Sequence, residues 1–429
     1  MSWGEWLAFV GYFIAFVAIM IGYTWTIVLF VSGSRYLKYW RKQPLGREQD
    51  YLWVFMVPAL NEAVTIADSV DRLRAVNATH KLILVINDGS EDETGEVLQG
   101  IAGPDLTVFT RVPPHARKGK AAALNAAFHF VRDDVLTQPG FERWPRSKVI
   151  FGIVDADGRL AAQAPATAAR HFDEPRVGGL QLSVQIYNES SYLTRMQGLE
   201  FLVFGGLFQV GRSRWGSAFM GGNGQFNRMS TLESVSTERG PWSDYLTEDQ
   251  ELGLRLLERG WFGVHEPFSN VRQQGLNNLR PLYRQRARWM QGNLQVFGSL
   301  KRLHSHHLVG LRRFDGLYTL IQPALQIIVG IAVIVALVLT IGFGVPYLPF
   351  GNFWLLLFFL QLSLGPTILG VIIVGRGKGW RGVFSVLAAL FPYILYTWIM
   401  WPVVFIGLYR QLRGNQAWAK TKREAIPAG

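Results

Sequence analysis

Cysteine is absent from the 429 residues, which excludes disulfides, thiolate metal sites and cysteine nucleophiles and leaves the redox compartment open. Charge is also scarce: 17% of residues are charged while 49% are hydrophobic. Soluble domains carry about 25% charged residues, so the composition points to a membrane protein. Acidic residues are the scarcer sign, 31 against 43 basic, for a formal net charge of +12. Such an excess can mark nucleic-acid binding, but no nucleic-acid-binding signature accompanies it. The basic residues flank hydrophobic runs or sit beside tryptophans, so anionic lipid headgroups and a diphosphate ligand account for the charge better.

The apolar residues are concentrated. Leu7 to Val31 is one uncharged run, and Tyr318 to Ile341, Trp354 to Val374 and Val383 to Leu408 are three more. Each is long enough for the roughly 20 helical residues that cross a bilayer core. The first run is too long in its apolar part for a cleaved signal peptide, has no basic segment before it and no small-x-small cleavage site after it, so it reads as an uncleaved anchor. Arg35, Lys38, Arg41 and Lys42 follow it and only Glu5 precedes it, which places the segment after it in the cytoplasm by the positive-inside rule. By the same rule Gly375 to Gly382 is cytoplasmic and "GVPYLPFGNF" is external. Arg410, Arg413, Lys420, Lys422 and Arg423 ask for a cytoplasmic tail, whereas three full crossings would put it outside; Pro392 and Pro402 allow the last run to be broken or re-entrant. The expected plan is an anchor over 1–33, a cytoplasmic α/β domain over 34–295, an interfacial helix region over 296–317, membrane helices over 318–409 and a basic tail over 410–429. It implies a multi-pass protein of the inner or plasma membrane in contact with its lipids, with four runs so few that oligomerisation is an open possibility.

Within the polar segment, "YLWVFMVPALNE", "KLILVINDGSEDETGEVL", "LTVFTR" and "KVIFGIVDADG" open on short apolar runs without alternation, the pattern of strands covered on both faces. Helical stretches such as Lys118 to Val131 lie between them. Alternating strands and helices predict a doubly wound, Rossmann-like sheet that takes ligands at the carboxyl ends of its strands. The acidic clusters "NDGSED" and "DADG" fall there.

Three stretches carry chemistry. Asp155 and Asp157 flank one small residue directly after a strand, either as a common Asp-Gly turn or as a carboxylate pair that holds a hard cation with water and phosphate oxygens in its other positions. Asp88 in "NDGS" carries the same two readings. In "LTEDQELGLRLLERGW" Thr247 and Gln250 have capping-box spacing, Glu248, Asp249 and Glu251 suit the positive end of a helix dipole, and Gly260 supplies the stop. A carboxylate there could also act as general base toward a hydroxyl. In "RQRARWMQG", Gln285, Arg288 and Trp289 share one helix face: an amide, a guanidinium fork suited to diphosphate and a flat ring on which a sugar can rest. An interfacial helix with a tryptophan belt and snorkelling arginines is the alternative.

Taken in order and spacing, "PALNE", "NDGS", "GKAAALNAA", "DADG", "GGNGQFNR", "LTEDQELGLRL" and "QRARW" resemble the motifs of the membrane-embedded, processive family 2 glycosyltransferases, the group of cellulose, chitin, hyaluronan and poly-N-acetylglucosamine synthases. The resemblance covers about residues 51 to 293. It implies a GT-A nucleotide-sugar domain, a UDP-sugar donor and a polysaccharide or oligosaccharide acceptor. Pro58, Ala59, Asn61, Glu62 and Asp88 would line the nucleoside pocket, with Lys120 near it. Asp155 and Asp157 would match the DxD pair for Mg²⁺ or Mn²⁺, Asp157 as the direct ligand. Glu248 and Asp249 would match TED, with Asp249 as the base. Gln285, Arg288 and Trp289 would match QxxRW, and Gly222 and Asn223 would lie beside the acceptor. Two further stretches, Ser191 to Gly216 and Val296 to Leu317, are expected to be interfacial amphipathic helices, with burial an equal alternative for the first. "HSHH", His304 to His307, reads as a solvated loop, with metal binding as the alternative. Extension of a polymer and transfer of one sugar to a lipid are both open.

Overall fold

The computed structural model describes residues 3–344, 364–414 and 424. Most of the expected external loop, the first half of the run from Trp354, and Lys420, Lys422 and Arg423 lie outside the described residues.

The unalternating runs form strands buried on both sides. In β1 (Leu52–Ala59), Trp53, Phe55 and Val57 enter one core while Leu52, Val54 and Met56 enter the other. β1 pairs in parallel with β2 (Lys81–Asn87) and with β4 (Val149–Ile153), and β3 (Leu106–Thr110) adds in parallel to β2. Helices α2 (Ile66–Arg74), α3 (Thr94–Gly100) and α5 (Ala164–Phe172) cover the first face. α4 (Lys120–Phe130), α8 (Met229–Val235) and α9 (Glu248–Glu258) cover the second.

Beyond β4 the sheet departs from a purely parallel pattern. β7 (Gln225–Arg228) runs antiparallel between β4 and β6 (Val177–Ile186). β8 (Phe262–Gln273) pairs in parallel with β6, and β5 (Arg159–Leu160) closes the edge. The eight strands lie in the order β3-β2-β1-β4-β7-β6-β8-β5. Strand crossings at β4 and β7 gather the loops after β1, β2 and β4 on one rim with the loop before β7, and the site forms there.

Among the described residues three helical stretches are long and apolar enough to cross a membrane: Phe9–Trp40 of α1 (Trp3–Trp40), Gly310–Val335 of α11 (Gly310–Phe343), and Trp380–Leu412, made of α13 (Trp380–Met400) and α14 (Pro402–Leu412). α12 (Leu364–Gly375) is shorter. α13 continues through Pro392, whereas Pro402 opens α14, where its missing N–H is no loss. The last apolar run is therefore a broken helix.

The two stretches expected at the interface turn out differently. Ser191 to Gly216 forms α6 (Tyr192–Val203), a wide π-helical turn over Phe204–Gln209 and α7 (Val210–Ser213), with Val203, Leu207 and Val210 buried. A β-carbon on Gly211 would lie 2.6 Å from the Leu29 carbonyl oxygen, so α7 is packed against the anchor helix. This is the buried alternative. Val296 to Leu317 is not one helix: α10 (Leu279–Phe297) ends at its start, Leu300–His304 is a 3₁₀ turn, and α11 begins at Gly310. Gly298, Ser299 and the polar "HSHH" interrupt it, and Leu303 and Leu308 instead pack with Leu254 and Leu257 of α9.

Candidate active site

A cavity of about 1000 Å³ opens at the carboxyl ends of β1, β2 and β4. Pro58, Ala59, Glu62, Asp88, Lys120, Asp155, Asp157, Gly222, Asn223, Glu248, Asp249, Gln285, Arg288 and Trp289 all line it. The motifs scattered over more than 200 positions of sequence are thus brought to one wall.

Asn61 is the exception. Its backbone is left-handed, at φ +54, its N–H donates to Ser90 Oγ at 2.9 Å, and its side-chain oxygen accepts from the Glu91 N–H at 2.8 Å. These two bonds fasten the loop after β1 to the loop after β2. Asp88 beside them is buried and paired with Arg111 at 2.5 Å. Burial raises its pKa despite the opposing guanidinium.

The Asp-Gly turn of "DADG" is formed. Gly158 N–H donates to the Asp155 carbonyl at 2.6 Å, closing the turn, and the turn directs both carboxylates at the cavity. Asp155 Oδ1 is 2.6 Å from Lys120 Nζ, and Asp157 Oδ2 accepts from the Gln274 N–H at 2.9 Å. Asn223 fixes the turn, its side-chain oxygen accepting from Asp155 N–H at 3.1 Å and its amide donating to Gln273 at 2.9 Å. The part-exposed Asp155 and the buried Asp157 offer hard oxygen donors of the kind that suit Mg²⁺ or Mn²⁺. Among the described residues no three His, Cys, Asp or Glu side chains converge, the "HSHH" stretch included, so a ligand would have to complete the coordination.

At the start of α9 the expected capping box is not formed. Thr247 Oγ1 is buried with no hydrogen-bond partner, because the side chain is pressed against Gly292 of α10. Asp249 instead accepts from the Gln250 N–H at 2.7 Å, satisfying an orphan donor itself. The other end is as expected: Gly260, at φ +89, and Trp261 donate to Leu257 and Leu256 in a Schellman closure. Burial raises the pKa of Asp249, with Lys120 pulling it back; burial and the neighbouring Asp249 push Glu248 up to about 7. For Lys120, burial works against the ammonium, but Asp155, Glu248 and Asp249 together hold its pKa well above the usual value. Gly222, at φ +76, allows this crowding, since a β-carbon there would sit 2.9 Å from Asp249 Oδ2.

The cavity also takes in residues that the sequence reading passed over: Glu200 and Phe201 of α6, Gln295 of α10, and Tyr318, Gln322 and Gln326 of α11. Gln322 and Gln326 are spaced i, i+4 inside an apolar run, a signal that was available. Glu200 sits in an unremarkable helix and had none.

The profile of glycosyl transferase family group 2 matches residues 150–409, more than half of the chain. The chain belongs to that family. The profile of glycosyl transferase family 2 also matches residues 54–234. The chain is 27% identical over 246 residues to poly-beta-1,6-N-acetyl-D-glucosamine synthase of Staphylococcus aureus, 56% of this chain and 54% of that protein. It thus spans about half the length of the synthases it matches. It is 26% identical to the probable glycosyltransferase YdaM of Bacillus subtilis over 96% of this chain and 97% of that one. Its fold is that of a mannosyltransferase of Pyrobaculum calidifontis solved with GDP-mannose and Mn²⁺, at TM-score 0.60 and 17% identity over 96% of this chain and 99% of that one. The family 2 domain is therefore GT-A-like, with apolar helices attached.

Proposed function

We propose that the protein is a membrane-bound, inverting glycosyltransferase that adds sugar from a UDP-sugar, UDP-glucose or UDP-N-acetylglucosamine, to a growing β-linked polysaccharide and passes the product across the membrane. The catalytic domain lies on the cytoplasmic side. The observation that carries this reading is the single cavity that joins the carboxylate turn, the acid pair of α9, the side chains of α10 and the glutamines of the membrane helix α11. The likeness to a poly-N-acetylglucosamine synthase supports the acceptor class.

Asp249 takes the proton from the acceptor hydroxyl. The oxygen attacks the anomeric carbon from the face opposite the diphosphate, the bond from that carbon to the phosphate oxygen breaks, and configuration inverts. Arg288 and Gln285 hold the departing diphosphate, and Trp289 supports the terminal acceptor ring. Asp155 and Asp157 would hold Mg²⁺ or Mn²⁺, which supplies charge neutralisation to the diphosphate; the bound Mn²⁺ of the mannosyltransferase fits this assignment. Pro58, Ala59, Glu62 and Asp88 form the nucleoside wall.

A second reading, one sugar transferred to a lipid, is favoured by Phe201, Phe204 and Phe208 on the cavity wall. Incubating the purified protein in detergent with labelled UDP-sugars and sizing the products tests both. Polymer from one donor supports the synthase; a single-sugar lipid product replaces it; no transfer from any donor overturns both.

A further inference from the structure

Arg286 stands between two of the motif residues but is not one of them. Its guanidinium carbon lies 4.0 Å from the centroid of the Trp289 ring, and its Nη1 is 3.5 Å from the side-chain oxygen of Gln285. It is buried, and Nη2 is held by Glu200 Oε2 at 2.6 Å. The same carboxylate oxygen accepts from the Tyr396 hydroxyl of α13 at 2.8 Å. Phe201, next to Glu200, sets its ring edge against Trp289 at 6.2 Å between centroids and lies 5.4 Å from the Arg286 guanidinium. The Trp289 ring is thereby fixed by a cation against its face and an aromatic edge, and the cation is fixed by an acid clamped from two helices. Contacts of this kind hold the indole at one angle, which is what an aromatic platform for a sugar needs.

We propose that Glu200 and Arg286 are positioning residues for the acceptor, acting through Trp289, and that Tyr396 ties the angle of this platform to membrane helix α13. The inference rests on the reading of Trp289 as the acceptor platform. The set touches Trp289 and Gln285, not the carboxylate turn, so its loss falls on the acceptor side of the reaction. The test uses the full-length protein in detergent, titrating the acceptor oligosaccharide and the UDP-sugar separately. Arg286→Met and Glu200→Leu raise the acceptor KM about tenfold each and leave the donor KM within about twofold; the double variant is no worse than either single, as for members of one unit. Arg286→Lys does not restore the acceptor KM, because an ammonium cannot lie flat on the ring. Tyr396→Phe, which removes one hydroxyl and keeps the packing, raises it about threefold and guards against misfolding in the larger changes. Unmoved acceptor KM in Tyr396→Phe and in any folded single variant overturns the inference, as do equal losses on donor and acceptor. Wild-type protein that transfers nothing overturns the functional reading itself, a different outcome.

Discussion

Gly292 of α10 lies flat against Thr247, so closely that a β-carbon there would come within 2.5 Å of Thr247 Cγ2 and 2.7 Å of Oγ1. One turn further along α10, Gln295 accepts from the Leu246 N–H at 3.1 Å. The helix that presents Trp289 and the helix start that presents Asp249 are therefore packed directly together, and on the roles proposed for them the distance from base to acceptor platform depends on the missing side chain at 292. Gly292→Ala must push the two apart. The expected cost is about 1–3 kcal/mol of stability, read by thermal melting, with sugar transfer falling further than the melting shift explains. Wild-type transfer by this variant would show that the two elements need no fixed spacing.

Asp249→Asn removes the proposed base and leaves its shape. Transfer should fall by roughly 10²–10⁴-fold, while UDP affinity, measured by calorimetry, stays near wild type. Undiminished turnover would end the assignment.

The same group sets a pH limb. A carboxylate accepts a proton only when ionised, so kcat/KM rises with pH through the pKa of the base. Burial holds Asp249 above the ordinary value of about 4, and Glu248 is pushed up to about 7. The acidic limb of kcat/KM should therefore lie above the range of an ordinary aspartate. A limb at or below pH 4 would mean that Asp249 titrates as an ordinary exposed aspartate.

Much of this site was legible in the chain because its motifs follow strands buried on both faces, and such runs announce themselves: Leu52 to Ala59 and Leu82 to Ile86 are apolar throughout, so the loops after them had to sit on the rim. The antiparallel β7 was hidden because "GQFNR" has four residues in the strand, too few for a period. The Thr247 cap was misread because capping spacing is local, whereas the neighbour that displaces the bond, Gly292, is distant in sequence. The link made by Asn61 was hidden for a similar reason: a left-handed backbone and a partner at Glu91 leave no trace in "PALNE".

That link yields its own expectation. Asn61→Ala loses the bond to Glu91 and places alanine at φ +54, costing about 2 kcal/mol in all, visible as a lower melting temperature. The donor KM should stay within about twofold. A large rise in donor KM with unchanged melting would return Asn61 to the nucleoside wall.

Asp155 and Asp157 make the cation testable without a bound structure. Excess EDTA should stop transfer and added Mg²⁺ or Mn²⁺ should restore it, while Asp157→Asn should raise the metal concentration needed for half-activity. Full activity in EDTA would leave the "DADG" turn as a turn.

The glutamines of α11 separate the polymer from the lipid product. Gln322 and Gln326 lie one helical turn apart, on the part of an apolar helix that faces the cavity. Amides within a membrane helix are costly unless they meet a polar partner, and a glycan supplies hydroxyls along its length. If the product leaves along this face, Gln322→Leu with Gln326→Leu should shorten the polymer while the first transfer, to a short soluble acceptor, keeps its rate. If the acceptor is a lipid, an apolar face here should leave single-sugar transfer unchanged or improve it. Product length on a gel, beside the initial rate, decides between them; unchanged polymer length in the double variant would remove α11 from the path of the product.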